Sequence, residues 1–189
     1  MLYVVTGGSG SGKSALAEAK VRQLNTMSAR TCYYVATMYP AKDEETQARI
    51  RRHQEMRKDS GFTTVECPMS IGHLSEGGAI YLLECMSNLL ANEMFMTEGN
   101  IGFDKSFDDA KAICEHAIIE PIWSISQTSD MIVVTNEVFS DGAYDGETYS
   151  LETKQYVELL GYINQRLAGL ADAFVEAVCG IPVVHKGEW

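Results

Sequence analysis

Short apolar runs alternate along the chain with longer stretches in which apolar residues recur at helical spacing. Runs rich in β-branched and aromatic residues predict strands at residues 2–6, 32–37, 63–67, 79–84 and 131–135, with one or two more after residue 173. Helical spacing predicts helices over about 13–27, 43–58, 86–97, 108–126 and 151–170, the fourth kinked or broken at Pro121. This alternation predicts an α/β fold, a mostly parallel sheet with helices on both faces, in one domain of residues 1–189.

A glycine-rich segment follows the first predicted strand at once and opens the first predicted helix. It fits the pattern GxxxxGK[ST] at every required position, with the residues Gly7, Gly8, Ser9, Gly10, Ser11, Gly12, Lys13 and Ser14. Glycines allow a tight turn whose N–H groups point at phosphate oxygens, and the helix adds its positive N-terminal end. We expect Lys13 to reach the β- and γ-phosphates and Ser14 to ligate Mg²⁺. The segment therefore predicts a P-loop that binds a nucleoside triphosphate.

A P-loop site also needs a carboxylate near the Mg²⁺ ion, usually at the end of a strand. Glu84 closes the apolar run AIYLLE and is the first candidate. Glu137, which follows MIVVTN, is the alternative. A charged residue that closes an apolar run can also be an ordinary solvated strand terminus, and the sequence leaves that possibility open for both.

The charge of the chain restricts its partners. Its 189 residues carry a net charge of −11, which argues against nucleic acid and against an anionic membrane surface. Hydrophobic residues make up 46%, enough for a packed core, with no run long enough to span a membrane. The five cysteines are scattered and form no CxxC pair, so we expect buried free thiols. Without a signal peptide in view, these features predict a cytoplasmic protein.

Positive charge is concentrated in one segment, ARIRRHQEMRK. Ten positions hold five of the fifteen basic residues of the chain, namely Arg49, Arg51, Arg52, Arg57 and Lys58. On a helix, Arg49, His53 and Arg57 share one face, and the two cations disfavour protonation of His53. A neutral imidazole is a competent nucleophile for the α-phosphate of a nucleotide. A solvated charged face with an incidental histidine is the alternative.

For His73, His116 and His185 we expect structural or surface roles.

The motifs in combination resemble a known family. VVTGGSGSGKSALAEA, YYVAT, DEETQARIRRHQEMR, TTVE, YLLECMSNLL, VVTNEV and INQRLAGLAD occur in the order and at the spacings of adenosylcobinamide kinase/adenosylcobinamide-phosphate guanylyltransferase, over nearly the whole chain. The resemblance implies a RecA-like P-loop NTPase fold and two activities. One phosphorylates adenosylcobinamide, and the other transfers GMP from GTP to that phosphate. It further implies GTP and ATP as substrates, Mg²⁺, a corrinoid partner and a homo-oligomer, plausibly a trimer.

The resemblance also implies the site residues. The pattern RIxxHxxxR makes His53 the histidine that carries GMP, with Arg57 as the final arginine. The nucleotide contacts are then the segment from Gly7 to Ser14, together with Ala36, Thr37, Met38, Gln54, Glu55, Met56, Arg57, Glu66 and Glu84. A carboxylate such as Glu66 can accept hydrogen bonds from guanine N1–H and N2–H, which adenine does not offer.

One segment departs from the family pattern. After TNEV the chain reads FSDGAYDGETYSLET, a long acidic loop over 139–153 that has no proline and plausibly lies near the corrinoid. Corrinoid recognition and the kinase activity are therefore less fully specified by the motifs than guanylyl transfer is. Two other hypotheses stay open: a P-loop kinase for a different small alcohol, without nucleotidyl transfer, and a non-catalytic nucleotide-binding module.

Overall fold

The computed structural model describes residues 1–39, 61–74, 77–102, 105–138 and 150–189. We number the elements within these ranges in chain order. The strands are β1 (Leu2–Thr6), β2 (Cys32–Ala36), β3 (Thr63–Glu66), β4 (Ile80–Glu84), β5 (Asp130–Val134), β6 (Ala173–Val178) and β7 (Ile181–Lys186). The α-helices are α1 (Lys13–Ser28), α2 (Met86–Phe95), α3 (Phe107–Cys114), α4 (Glu120–Thr128) and α5 (Leu151–Leu170).

The strands of the described residues form one seven-stranded sheet in the order β3-β2-β4-β5-β1-β6-β7. All neighbouring strands are parallel except β6 and β7. The register places Glu66, Ala36, Glu84, Val134 and Val5 in one row across the sheet. The carboxyl ends of β1 to β6 therefore meet at one edge, which is where open α/β sheets bind ligands.

Side chains of successive strand residues pack on opposite faces of the sheet. Val4 and Val133 belong to a core that the helices α2 to α5 cover. Val5 and Val134 belong to a second core that α1 covers. Because both faces of the sheet are buried, the strands are continuous apolar runs in the sequence and do not alternate between apolar and polar residues. The predicted α/β fold, with a mostly parallel sheet and helices on both faces, is confirmed.

The predicted helix over 108–126 is interrupted as expected near Pro121. Between α3 and α4 the residues Glu115–Ile119 form a π-helical turn, in which the N–H of Glu120 donates to the carbonyl of Glu115. Proline has no N–H for the carbonyl four residues before it, and the wider turn accommodates this loss. The predicted helix over 43–58 lies outside the described residues.

The last two strands form a hairpin whose two-residue turn is Cys179 and Gly180. Both residues are left-handed, with φ of 51° and 80°, as such a turn requires. The five cysteines are free thiols, as predicted, but only three are buried: Cys85 is partly buried, and Cys179 is exposed because it occupies this turn. No helix within the described ranges has the length and apolar character that a membrane crossing demands.

Two glycines, one in the hairpin turn and one directly after β7, provide a matched test of how the end of the chain packs. Gly187 has φ +69°, and a Cβ there would lie 1.9 Å from the backbone oxygen of Asp172, whereas a Cβ on Gly180 (φ +80°) meets nothing within 4 Å. We expect Gly180→Ala to cost about 1 kcal/mol of unfolding free energy for the left-handed backbone. Gly187→Ala should cost at least about 2 kcal/mol more, because backbone must move. Urea denaturation measures both, and equal losses would contradict this packing.

Candidate functional site

The glycine-rich loop joins β1 to α1 at the carboxyl edge of the sheet. Gly12 stands immediately before α1 with φ 91°, and no side chain caps this helix end. The first turn of α1 contains no acidic residue. The first N–H groups of α1 are thus not taken by a capping side chain, and they carry the positive end of the helix dipole. Such an end binds phosphate without further adaptation.

The loop is held tightly from two sides. The N–H of Glu137, beyond β5, donates to the carbonyl of Gly7 at 3.2 Å, and the N–H of Gly180 donates to the carbonyl of Ser11 at 2.8 Å. A Cβ on Gly7 would lie 2.6 Å from Ser11 Oγ, and one on Gly12 would lie 3.0 Å from Gly180 Cα. The hairpin tip and the end of β5 therefore fix the loop and leave no space for side chains at these glycines.

Two polar side chains of the loop fit an anion. Lys13 Nζ donates to the carbonyl of Gly8 at 2.9 Å, so its ammonium lies against the loop itself. Ser11 Oγ is buried and has no hydrogen-bond partner, and it alone has this status among the buried side-chain polar atoms of the described residues. A buried hydroxyl without a partner is costly. A phosphate group brings acceptor oxygens, so the loop is chemically complementary to it.

Ser14 and Glu84 meet in the structure. Ser14 Oγ donates to Glu84 Oε1, and Tyr34 OH donates to the other carboxylate oxygen, Oε2, at 3.2 Å. Glu84 is partly buried at the end of β4, which is separated from β1 by β5 alone. A hydroxyl and a carboxylate are the hard oxygen ligands that Mg²⁺ takes, with phosphate and water filling its other positions. Of the two predicted carboxylates, Glu84 is thus the one that contacts Ser14, whereas Glu137 contributes its backbone N–H to the loop.

The other predicted contacts lie further along the same edge. Ala36 ends β2 and is paired with Glu84 on one side and with Glu66 on the other. Because neighbouring strands are about 4.8 Å apart, Glu66 lies about 10 Å beyond Glu84 on the side away from β1. Glu66 is exposed at the end of the edge strand β3, and Met38 is partly buried. The phosphate-side and base-side predictions therefore occupy opposite ends of one row.

Thr37, which the sequence analysis assigned to the nucleotide, is buried and bonded within the protein. It is fully buried, and its hydroxyl donates to the carbonyl of Cys85 at 2.9 Å and accepts from the Cys85 N–H at 2.7 Å. Its N–H donates to the carbonyl of Glu84 at 3.2 Å. Its carbonyl accepts from Asn92 Nδ2 at 2.8 Å. Every polar atom of Thr37 is thus bonded within the protein, and the residue holds the ends of β2 and β4 together.

A second polar cluster, which the sequence reasoning missed, lies where β5 ends between β4 and β1. Asn136 Nδ2 donates to Ser87 Oγ at 2.5 Å, and Asn164 Nδ2 of α5 donates to the Asn136 carbonyl at 3.1 Å. Tyr156 OH donates to the Ser87 carbonyl at 3.1 Å. Burial raises the pKa of Tyr156 to about 12, so the phenol stays protonated. The sequence signal for this cluster was Thr135 and Asn136, the two polar residues that end the segment MIVVTN.

Several predicted residues cannot be placed. His53, Gln54, Glu55, Met56 and Arg57 lie outside the described residues, as do 139–149 of the acidic loop. The other histidines are exposed, with hydrogen bonds from His73 to the Ser70 carbonyl, from His116 to Glu120 and from His185 to Glu176. The Glu120 carboxylate raises the pKa of His116.

The contact between Ser14 and Glu84 predicts a metal-dependent binding defect. Glu84→Gln removes the negative charge of the side chain while keeping its shape. We expect it to reduce the gain in GTP affinity that Mg²⁺ gives by at least about tenfold. Tyr34→Phe removes one hydrogen bond to Glu84 but leaves the carboxylate, so its effect should be several-fold smaller. Isothermal titration with and without Mg²⁺ measures both. Wild-type Mg²⁺ dependence in Glu84→Gln would exclude this carboxylate.

Comparison with known proteins agrees with this geometry. A family model described as cobinamide kinase / cobinamide phosphate guanyltransferase matches residues 3–185. The chain is 31% identical over 196 residues to the bifunctional adenosylcobalamin biosynthesis protein CobU of Salmonella typhimurium, covering 98% of this chain and 100% of that protein. It is 30% identical over 197 residues to the protein of the same name from Escherichia coli, with the same two coverages.

Among solved structures, the ATPase domain of G40P matches with a TM-score of 0.50 and 8% identity, over 93% of this chain and 68% of that one. At so low an identity the likeness concerns the fold alone. Together with the sheet order and the glycine-rich loop, it confirms the predicted P-loop fold class, and nucleotides are accordingly the substrates that this fold binds.

Proposed function

Because this chain belongs to the cobinamide kinase / cobinamide phosphate guanyltransferase family, we propose that it phosphorylates adenosylcobinamide and then transfers GMP from GTP to adenosylcobinamide phosphate. Both reactions belong to cobalamin biosynthesis, as the names of the relatives from Salmonella typhimurium and Escherichia coli say of those proteins. The observation that carries the proposal is the contact between Ser14 and Glu84, because it joins the phosphate loop to a metal-binding carboxylate.

In the kinase reaction, the glycine-rich loop and Lys13 bind the triphosphate of ATP or GTP. Ser14 and Glu84 would hold Mg²⁺, which supplies neutralisation of phosphate charge when bound. The corrinoid hydroxyl attacks the γ-phosphorus, the bond to the β-bridging oxygen breaks, and the hydroxyl proton passes to solvent. The loop contributes by fixing the phosphates, since positioning and charge stabilisation account for most catalysis of phosphoryl transfer.

In the guanylyl-transfer reaction, His53 is the nucleophile. Its neutral imidazole attacks the α-phosphorus of GTP, a P–N bond forms, and pyrophosphate leaves with the electrons of the broken P–O bond. The phosphate of adenosylcobinamide phosphate then displaces His53. The segment Gln54 to Arg57 contacts the nucleotide, and Glu66 selects guanine by accepting from N1–H and N2–H. Recognition of the corrinoid is assigned to the acidic loop over 139–153.

A covalent intermediate separates this proposal from its alternatives. We expect GTP labelled at the α-phosphate to leave acid-labile, base-stable label on the wild-type protein, because phosphoramidates have that stability. His53→Ala should take up none, whereas His116→Ala, which alters an exposed histidine bonded to Glu120, should be labelled as the wild type is. The measurement is protein-bound radioactivity after gel filtration.

Parallel assays, with GTP labelled at the γ-phosphate and with a corrinoid acceptor, identify the alternatives. Transfer of the γ-phosphate to a small alcohol without protein-bound GMP would indicate a kinase that lacks nucleotidyl transfer. GTP binding without turnover of any corrinoid would indicate a non-catalytic module. Label that persists in His53→Ala would exclude that residue as the carrier of GMP.

The protein also acts, in this proposal, as a cytoplasmic homo-oligomer, and we propose a trimer. Exposed apolar side chains support this: Val178, Ile181, Val183 and Val184 of the terminal hairpin are 44%, 64%, 39% and 47% exposed. The strand β7 that carries three of them lies at an edge of the sheet. An exposed apolar edge strand invites pairing with another chain.

Light scattering coupled to size exclusion tests the assembly. We expect the wild type to elute well above the 20.8 kDa mass of one chain. Ile181→Lys places a charge on the apolar edge and should shift the protein to monomer. Leu151→Lys, at a residue 80% exposed at the start of α5, is the matched control and should leave the assembly unchanged. A monomeric wild type, or an assembly that Ile181→Lys leaves intact, would contradict this interface.

A further inference from the structure

Helix α2 buries two consecutive polar residues, Asn92 and Glu93, in addition to Ser87 near its start. Asn92 is 5% exposed and Glu93 is fully buried, among the buried Met86, Leu89, Leu90 and Met94 of the same helix. Burial of an amide and a carboxyl group is costly unless both are hydrogen-bonded. Both residues are hydrogen-bonded to segments outside α2.

The side chain of Asn92 bridges two chain segments at the base side of the site. Its Nδ2 donates to the carbonyl of Thr37, 55 residues away, at 2.8 Å, and to the carbonyl of Pro68, 24 residues away, at 2.9 Å. Thr37 follows the last residue of β2, and Pro68 lies two residues beyond Glu66 at the end of β3. One amide group thus joins the main chain of both strand ends.

Glu93 fixes the segment after β3 independently of β2. Its Oε1 accepts from the Ser70 N–H at 2.8 Å, and its Oε2 accepts from the Asn100 N–H at 2.9 Å and from Asn100 Nδ2 at 2.7 Å. These bonds hold residue 70 and the turn after α2, but neither strand end. Holding the ends of β2 and β3 together from α2 is therefore the role of the Asn92 amide.

The two strand ends carry the residues assigned above to the base. The last bond between the two strands runs from the Cys67 N–H to the Ala36 carbonyl at 2.9 Å. Beyond it, Thr37 is bonded to Glu84 and Cys85, and the Asn92 amide joins Thr37 to Pro68. A shift of a fraction of an ångström there would displace Met38, which follows Thr37, and the chain that leaves β3 directly after Glu66, and hydrogen-bond discrimination depends steeply on such geometry.

We propose that Asn92 is a positioning residue for base recognition, which joins the segments that leave β2 and β3 and thereby supports the preference for guanine over adenine. The proposal rests on the assignment of Glu66 to guanine in the proposed function. Asn92 then affects which base is bound but not how the phosphates are bound, because its hydrogen bonds lie at the end of the row away from the glycine-rich loop.

The test compares two helix asparagines whose amides hold strand ends. Asn92→Ala removes the bridge on the base side. Asn164→Ala removes the amide that donates to the Asn136 carbonyl on the phosphate side. Dissociation constants for GTP, ITP and ATP are measured by titration calorimetry on the folded full chain. Asn92→Asp, which keeps the shape but loses the donors, serves as a second variant should Asn92→Ala fail to fold.

We expect Asn92→Ala to lower the GTP-to-ATP affinity ratio about tenfold, the effect of losing two hydrogen bonds that hold the base-reading segments. Asn164→Ala should weaken GTP and ATP alike and leave the ratio within about twofold, because a general loss of structure does not distinguish bases. ITP, which lacks the 2-amino group, should lose less affinity than GTP in Asn92→Ala. An unchanged ratio in both Asn92 variants, or an equal drop in Asn164→Ala, would overturn the proposal.

The binding ratio is separate from the covalent reaction. If the wild type prefers GTP but takes up no guanylyl label, the transfer reaction of the proposed function fails while the role of Asn92 remains testable. If the wild type does not distinguish GTP from ATP in binding, the assignment of Asn92 is overturned together with that of Glu66.

Discussion

The hydrogen bond from Ser14 to Glu84 connects the first turn of α1 with the end of β4, over the intervening strand β5. It exists because the parallel sheet brings the carboxyl ends of distant strands to one edge, where a glycine-rich loop and a carboxylate can meet. The row of paired residues from Val5 to Glu66 extends the same edge towards β3. The proposed phosphate site and the proposed base site thus both follow from a single constraint, the common direction of the strands.

Where the strands end at this edge, some backbone carbonyl groups have no hydrogen bond within the sheet. Side chains of the helices donate hydrogen bonds to them. Asn92 of α2 does so for Thr37 and Pro68, and Asn164 of α5 does so for Asn136. On the opposite face, α1 contributes the open N-terminal end that the glycine-rich loop leads into. The face that carries the larger set of helices therefore supports the strand ends, whereas the α1 face presents the groups proposed to bind phosphate.

Much of this arrangement could be predicted from the sequence, because the signals are local. Apolar runs identify the strands, and the spacing from Gly7 to Ser14 identifies the loop without reference to any distant residue. Pro121 predicted the interruption of a helix for a local reason too. The partners of Asn92 and Glu93 could not be predicted, since the contacts join residues up to 55 positions apart. Their signal was faint, a polar pair at positions that helical spacing assigns to the core. The exposure of Cys179 depends on a hairpin turn whose position the sequence did not specify.

In the proposed function, one loop binds the phosphates for attack at two different phosphorus atoms, and His53 attacks the second of them, the α-phosphorus. Peptide mapping by mass spectrometry, after incubation of the whole chain with GTP and Mg²⁺, tests this most directly. The account predicts a GMP adduct on the peptide that contains His53, with release of pyrophosphate. The adduct should disappear when adenosylcobinamide phosphate is added. An unmodified His53 peptide, or a GMP adduct on another residue, would contradict it.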